Sequence, residues 1–279
     1  MHLCDLPDPS MTLPSPLVET AARGPDGTRM DTVPEEVPVA LSYNGISHAV
    51  MLASPADLED FALGFSLSEG ILADPGELYD LEFDVSTRGV VVQMRIAESR
   101  FAGLKNRRRA LAGRTGCGLC GVESLDQVAR TLVPLPAGPA IAAASLHRAL
   151  AQLQQKQPLH ASTGGVHAAA WSDAAGDLLA VREDVGRHNA LDKLIGALAK
   201  DRRDPAAGFA LVTSRASFEM VQKAASVGIP ILAAVSAPTG YAIRLAQEVG
   251  LALAGFVRQG RYTVYSTPER IEIRAAHEY

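Results

Sequence analysis

The sequence predicts an α/β fold in two parts, a smaller N-terminal α+β domain followed by a layered sheet domain. Three observations predict it. Short apolar runs alternate with helical stripes through the second half of the chain, the pattern of a sheet covered on both faces. Asn44-Gly45, between two strand-like runs, is a strong hairpin signal at the start of the first folded unit. Between the halves lies a segment with neither pattern, rich in glycine and arginine, which holds two of the three cysteines.

Residues 1–36 are rich in Pro, Gly, Thr, Asp and Glu without sustained periodicity, and predict a mobile tail. The α+β domain occupies residues 37–100. Its first strands are Val37 to Tyr43 and Ile46 to Leu52. Ser54-Pro55 then starts a helix, with Asp57, Glu59 and Asp60 near its positive end. Leu58, Phe61, Ala62 and Phe65 form its apolar stripe, and Gly70 is a plausible stop. Leu78 to Val85 and Gly89 to Ile96 complete a β-β-α-β-β order.

Residues 101–140 form a basic Cys-x-x-Cys loop and a proline linker, with a short helix expected over Glu123 to Leu132. The larger α/β domain spans residues 141–279. It opens on a helix from Ser145 to about Gln157. Strands are expected over Val166–Trp171, Leu178–Val181, Phe209–Thr213, Ile229–Val235, Leu251–Val257 and Tyr262–Tyr265. Helices are expected around Leu191 to Leu198, from Ser217 to Ser226 and from Pro238 to Val249. The recurring β-α order predicts a largely parallel sheet.

Composition narrows the function classes. A hydrophobic fraction of 47% and a charged fraction of 20% are those of an ordinary globular protein. A net charge of −5 argues against general nucleic-acid binding. Three cysteines with no N-terminal apolar run argue against secretion and a disulfide framework. No apolar segment reaches membrane-spanning length, so the cytoplasm is the expected compartment and no membrane partner is expected.

The chemistry concentrates in two places. The first is Gly113-Arg-Thr-Gly-Cys117-Gly-Leu-Cys120-Gly121. Glycines around the thiols favour a loop, and the cations of Lys105 to Arg109 and Arg114 favour the nucleophilic thiolate. A zinc clip is an alternative, with His167 as a third ligand, but no second Cys-x-x-Cys exists to close the site. Thioredoxin-type redox chemistry would need a strand before the motif, and no strand-like run precedes Gly113. The second place is the carboxyl ends of the larger domain's strands, where ligands of such sheets bind. Thr213-Ser214-Arg215, Ser236 to Thr239, and Arg258-Gln259-Gly260-Arg261 all fall there, beside helix N-termini suited to anions. They predict a phosphate-bearing ligand. Taken singly, Ser217, Thr239 and Asp184 read equally well as helix caps. His167 and His188 sit beside glycine and charge, and either contact the ligand or are hydrogen-bonded structural residues. Asp184 or Glu183 is placed to orient His188.

Five stretches together resemble the formate dehydrogenase accessory sulfurtransferases. They are Gly116-Cys-Gly-Leu-Cys-Gly121, Thr163-Gly-Gly-Val-His-Ala168, Arg182-Glu-Asp-Val-Gly-Arg-His-Asn-Ala-Leu-Asp-Lys193, Ser214-Arg-Ala-Ser217 and the Gly255 to Tyr265 tail. The long Arg182 to Lys193 run is the most specific of them. The resemblance implies sulfur transfer from a cysteine desulfurase to a molybdenum or tungsten cofactor, bis-molybdopterin guanine dinucleotide, destined for formate dehydrogenase. It implies Cys117 as the persulfide carrier with Cys120 assisting, a homodimer and no permanent metal. It also implies a cytidine-deaminase-like fold for the larger domain. The deaminase zinc signature, His-x-Glu followed by Pro-Cys-x-x-Cys, is missing from the sequence. The guanine nucleotide end is expected on Phe256, Val257, Arg258, Gln259, Gly260 and Arg261, with Ser214, Arg215 and Ser236 nearby. Two other classes remain at this point. One is a zinc-dependent nucleoside or base hydrolase using Cys117, Cys120 and His167. The other is a non-catalytic chaperone that only holds the cofactor.

Overall fold

A computed structural model describes residues 12–104, 132–136 and 138–272. The first surprise is at the N-terminus. Leu17–Gly24 (β1) and Gly27–Pro34 (β2) form an antiparallel hairpin around Pro25-Asp26, where composition alone predicts a mobile tail. Its residues are mostly exposed and its register comes from backbone pairing, so it carries none of the apolar alternation by which strands are found.

The α+β domain forms as expected. Val37–Tyr43 (β3) and Ile46–Ala53 (β4) turn at Asn44 and Gly45, both at positive φ. Leu58–Ser68 is helix α1, and Gly70 follows it with φ 62. Leu78–Ser86 (β5) and Gly89–Ile96 (β6) complete a sheet of order β4-β3-β6-β5. β3 and β6 pair in parallel, because α1 carries the chain across between the two hairpins. Phe61, Phe65, Leu41, Val92 and Met94 pack between helix and sheet.

The linker joins the two domains through Ile141–Ala142 (β7). Ala143–Leu153 (α2) is one turn shorter than the sequence suggests, and Pro158–Thr163 (α3) forms separately behind Gln157. His167–Asp173 (β8) and Leu178–Asp184 (β9) form a hairpin. Then come Arg187–Lys200 (α4), Gly208–Val212 (β10), Phe218–Ser226 (α5), Ile231–Ala234 (β11), Gly240–Val249 (α6), Ala252–Arg258 (β12) and Arg261–Ser266 (β13). Ile271–Glu272 (β14) returns to pair with β7.

The resulting sheet has the order β13-β12-β11-β10-β8-β9. It is mixed. β10, β11 and β12 pair in parallel, while the β12–β13, β10–β8 and β8–β9 pairings are antiparallel, so that β13 and β8 run opposite to the other four strands. The short turns after β8 and β12 enforce the β8–β9 and β12–β13 pairings, since a tight turn can only return the chain beside itself. Side chains alternate between two cores. Ala169, Trp171, Ala210, Val212 and Leu232 face α4, α5 and α6, while Ala168, Ala170, Phe209, Leu211 and Ile231 face α2.

The two domains are one body. α1 lies directly on α4, and a Cβ added to Gly64 would stand 1.7 Å from the Asp192 carbonyl oxygen. One added to Gly196 would stand 1.9 Å from that of Asp60. The layers therefore run α2, six-stranded sheet, α4 to α6, α1, four-stranded sheet.

Candidate functional site

The run Arg182 to Lys193 crosses from the end of β9 into α4, and most of it binds the two domains together. Arg182 Nη2 meets Asp60 Oδ2 at 2.6 Å. Glu183 accepts the backbone N–H groups of Leu159 and His160, at 2.9 and 2.8 Å, at the start of α3. Asp184 and Lys193 form a fully buried pair at 2.6 Å. Asp184 also accepts from the Ser54 N–H at 3.0 Å, and Lys193 donates to the Ser54 carbonyl at 3.0 Å. Asn189 donates to the Leu52 carbonyl at 2.7 Å. Asp192 accepts from Ser68 at 2.6 Å and from Lys223 at 2.9 Å. Arg187 and His188 are left over, and they stand on the first turn of α4 at the edge of the sheet.

That edge collects the predicted residues. β10, β11 and β12 all end there, β8 begins there with His167, and α4, α5 and α6 all start there. The turns after β10 and β11 are tied by a parallel bridge between Ala216 and Pro238. The turn after β11 is tied to β12 by the Phe256 N–H donating to the Ser236 carbonyl at 3.1 Å. Phe256 has φ 52 and sits in a bulge that turns it outward. Gly260, with φ 73, makes the turn into β13.

Arg258 and Arg261 are direct cross-strand partners either side of that turn. Both are exposed, and neither has an ion-pair partner among the described residues. Like charges in this position destabilise a strand pair. With Phe256, Gly260, Tyr262 and Thr263 they line an open cleft of about 900 Å³. The cation pair makes that cleft fit for a polyanion, and Phe256 gives it an exposed aromatic face.

Not every predicted contact is free to act. Val257 is fully buried in the core on the α2 side and does not line the cleft. Gln259 is exposed at the turn but does not line the cleft. The Ser214 hydroxyl is buried and donates to the Arg215 carbonyl at 3.0 Å, while Arg215 is exposed on the same edge. Thr239 is a true cap, accepting from the Ala242 N–H at 3.3 Å, whereas Ser217 makes no such bond.

His188 is not oriented by Asp184 or Glu183, which are committed elsewhere. Its Nε2 lies 2.9 Å from Glu219 Oε2, a contact that becomes an ion pair only when the ring is protonated. Burial holds the His188 ring below the ordinary histidine range; the Glu219 carboxylate pulls it back up, and Arg187 and Lys223 push it down. Burial lowers His167 too, helped by Arg187 and His160 and opposed by Asp184. Arg187 therefore sits electrostatically between both histidines. Sequence reasoning passed over it, because nothing in the run marks which member is unpartnered.

Cys117, Cys120, Cys4, the Lys105 to Arg114 cations and the expected Glu123 to Leu132 helix up to residue 131 lie outside the described residues. Among the described residues no group of three or more His, Cys, Asp or Glu side chains is arranged to hold a metal ion. No helix among them is long and apolar enough to cross a membrane.

The fold and this edge define a class: a mixed α/β protein whose larger sheet gathers strand ends, helix starts and exposed arginines at one edge. The chain belongs to the FdhD/NarQ family, whose model matches residues 34–272. It is 58% identical over 246 residues to the sulfur carrier protein FdhD of Cupriavidus necator, covering 88% of this chain and 85% of that one. It is 52% identical over 266 residues to the sulfur carrier protein FdhD of Xanthomonas campestris pv. campestris, covering 94% and 95%. A crystal structure of a candidate formate dehydrogenase accessory protein from Desulfotalea psychrophila superposes with a TM-score of 0.70 at 25% identity, covering 92% of this chain and 98% of that one.

Proposed function

We propose that this chain is a sulfur carrier for the maturation of formate dehydrogenase, working as a homodimer in the cytoplasm. In this reading Cys117 receives sulfur from a cysteine desulfurase, Cys120 assists, and the acceptor is bis-molybdopterin guanine dinucleotide, bound as substrate. Family membership supports the sulfur role. The observation that carries the acceptor is the cross-strand pair of Arg258 and Arg261, two unneutralised cations beside an exposed aromatic ring.

The loading step balances without an external oxidant. The Cys117 thiolate attacks the terminal sulfur of the donor persulfide. A new S–S bond forms on Cys117 as the donor S–S bond breaks, and the donor cysteine leaves as a thiolate. The arginines of the sheet edge hold phosphate groups by charge-assisted hydrogen bonds, bidentate where the fork allows. The bound metal centre is the final acceptor of the sulfur; the chain's own part is to carry it and to fix the acceptor's distal end.

The test is intact-protein mass after incubation with a cysteine desulfurase and cysteine. Wild type and Cys4→Ala should gain sulfur, and Cys117→Ala should not. Loading of Cys117→Ala at the wild-type level would reject the assignment. Stoichiometric zinc in the purified protein would favour the hydrolase instead. For the acceptor, calorimetric titration of guanosine diphosphate should show Arg261→Ala binding about 10- to 150-fold more weakly, the loss of one charge-assisted hydrogen bond. Equal affinity in the two proteins would remove the cleft from the account.

A further inference from the structure

Arg187 makes no hydrogen bond or ion pair among the described residues, although its Nε is closed to solvent. Ser217 Oγ is likewise closed to solvent and without a partner, at the one position where a serine hydroxyl would ordinarily cap α5. The contact between His188 and Glu219 brings the first turns of α4 and α5 together, and the orphaned atoms of Arg187 and Ser217 lie on these two adjoining helix starts. Both residues are half-buried, but a donor nitrogen and a hydroxyl closed to solvent and left unmatched are costly, and native proteins match such atoms.

We propose that Arg187, His188 and Ser217 form an oxyanion subsite that takes a phosphate or pyrophosphate group, and that the group's arrival places a proton on His188. The inference rests on the sheet edge being a ligand site, as read above. The guanidinium fork suits a phosphate bidentately, and the serine hydroxyl adds a donor. Two helices of 14 and 9 residues begin here with free N–H groups. Glu219 opposes an anion while His188 is neutral. Once His188 is charged it stands between the carboxylate and the phosphate and satisfies both. The proton comes from solvent, and nothing is oxidised or reduced.

The groups facing His188 are Glu219 and Lys223 from α5 and Arg187 from its own helix. Lys223 is engaged by Asp192 and Glu69 at 2.9 and 2.8 Å, which leaves His188 as the responsive member. The corner is distinct from the Arg258–Arg261 cleft. β9, which leads into Arg187, is four strand spacings from β12, roughly 19 Å, and β10, which leads into Ser217, is two spacings away, roughly 10 Å.

The probe is inorganic pyrophosphate, titrated by calorimetry near neutral pH in two buffers of different ionisation enthalpy. Wild type should bind with net proton uptake, and so should Arg261→Ala, whose other cation pair is broken. Arg187→Gln should bind about 10- to 150-fold more weakly. His188→Asn should lose the proton uptake. The titration of the His188 ring, followed by NMR in wild type, should move to higher pH on adding pyrophosphate, which decides the matter even where a variant does not fold. Any one of four results overturns the subsite: no binding by wild type, unchanged affinity in folded Arg187→Gln, proton uptake surviving in His188→Asn, or an unmoved ring titration. Sulfur loading of Cys117 measured on the same proteins separates the two readings, because it proceeds normally if only the subsite is wrong.

Discussion

Lys193 and Asp184 show how much one pair can carry. Both side chains are fully buried, and the Ser54 backbone closes round them from the other domain. Lys193→Ala leaves the carboxylate buried without its cation, and should cost about 3–5 kcal/mol in urea denaturation. The two histidines give a pH dependence. Each has a folded value below its unfolded 6.5, so the unfolded chain binds more protons as pH falls through that window. Stability should be unaffected by these groups above that value and decline as pH drops below it. His167→Gln should flatten the fall of melting temperature with acidification; an unchanged slope would place the effect elsewhere. The run holding these residues was legible as a motif. Its division of labour was not, since the partners of Asp184 and Asn189 lie 130 and 137 residues earlier in the chain and spacing along a sequence is blind to them.

Elements were most legible where the signal is local. Asn44-Gly45, the stripe of α1 and the apolar strands of the larger sheet all form where periodicity puts them. The β1–β2 hairpin was missed because its pairing is backbone-made and its faces are wet. The antiparallel placing of β8 against β10 was missed because apolar alternation reports burial and not orientation. The crossing of α1 and α4 was missed for a different reason: an isolated helical glycine reads as a mild cost, and only the partner reveals its use. Gly64→Ala or Gly196→Ala puts a methyl group into a neighbouring carbonyl, and each should lower stability by at least about 3 kcal/mol, at the upper end of overpacking. A thermal melt that shifts by only a degree or two would show that the helices can part cheaply.

At the scale of the whole molecule, the ties across α1 and α4 predict one cooperative unfolding transition. Trp171 is the single tryptophan and lies in the larger sheet, so its fluorescence reports that sheet alone, whereas far-ultraviolet circular dichroism sees both. The two probes should give coincident denaturant curves. An earlier circular-dichroism phase would mean that the small sheet melts by itself. The glycine crossing also sets how the molecule transmits force. Helices in contact through backbone have no side chains that could re-orient to absorb a displacement, and packed interiors are stiff. α4 starts with Arg187 at the corner proposed above, and a displacement of α4 there would be passed to α1 through the close backbone contacts at Gly64 and Gly196. α1 shares an apolar cluster with Leu104, the last described residue before the cysteine-bearing segment. The corner with Arg187 and the residue that precedes the cysteine-bearing segment are thus tied to the same stiff pair of helices.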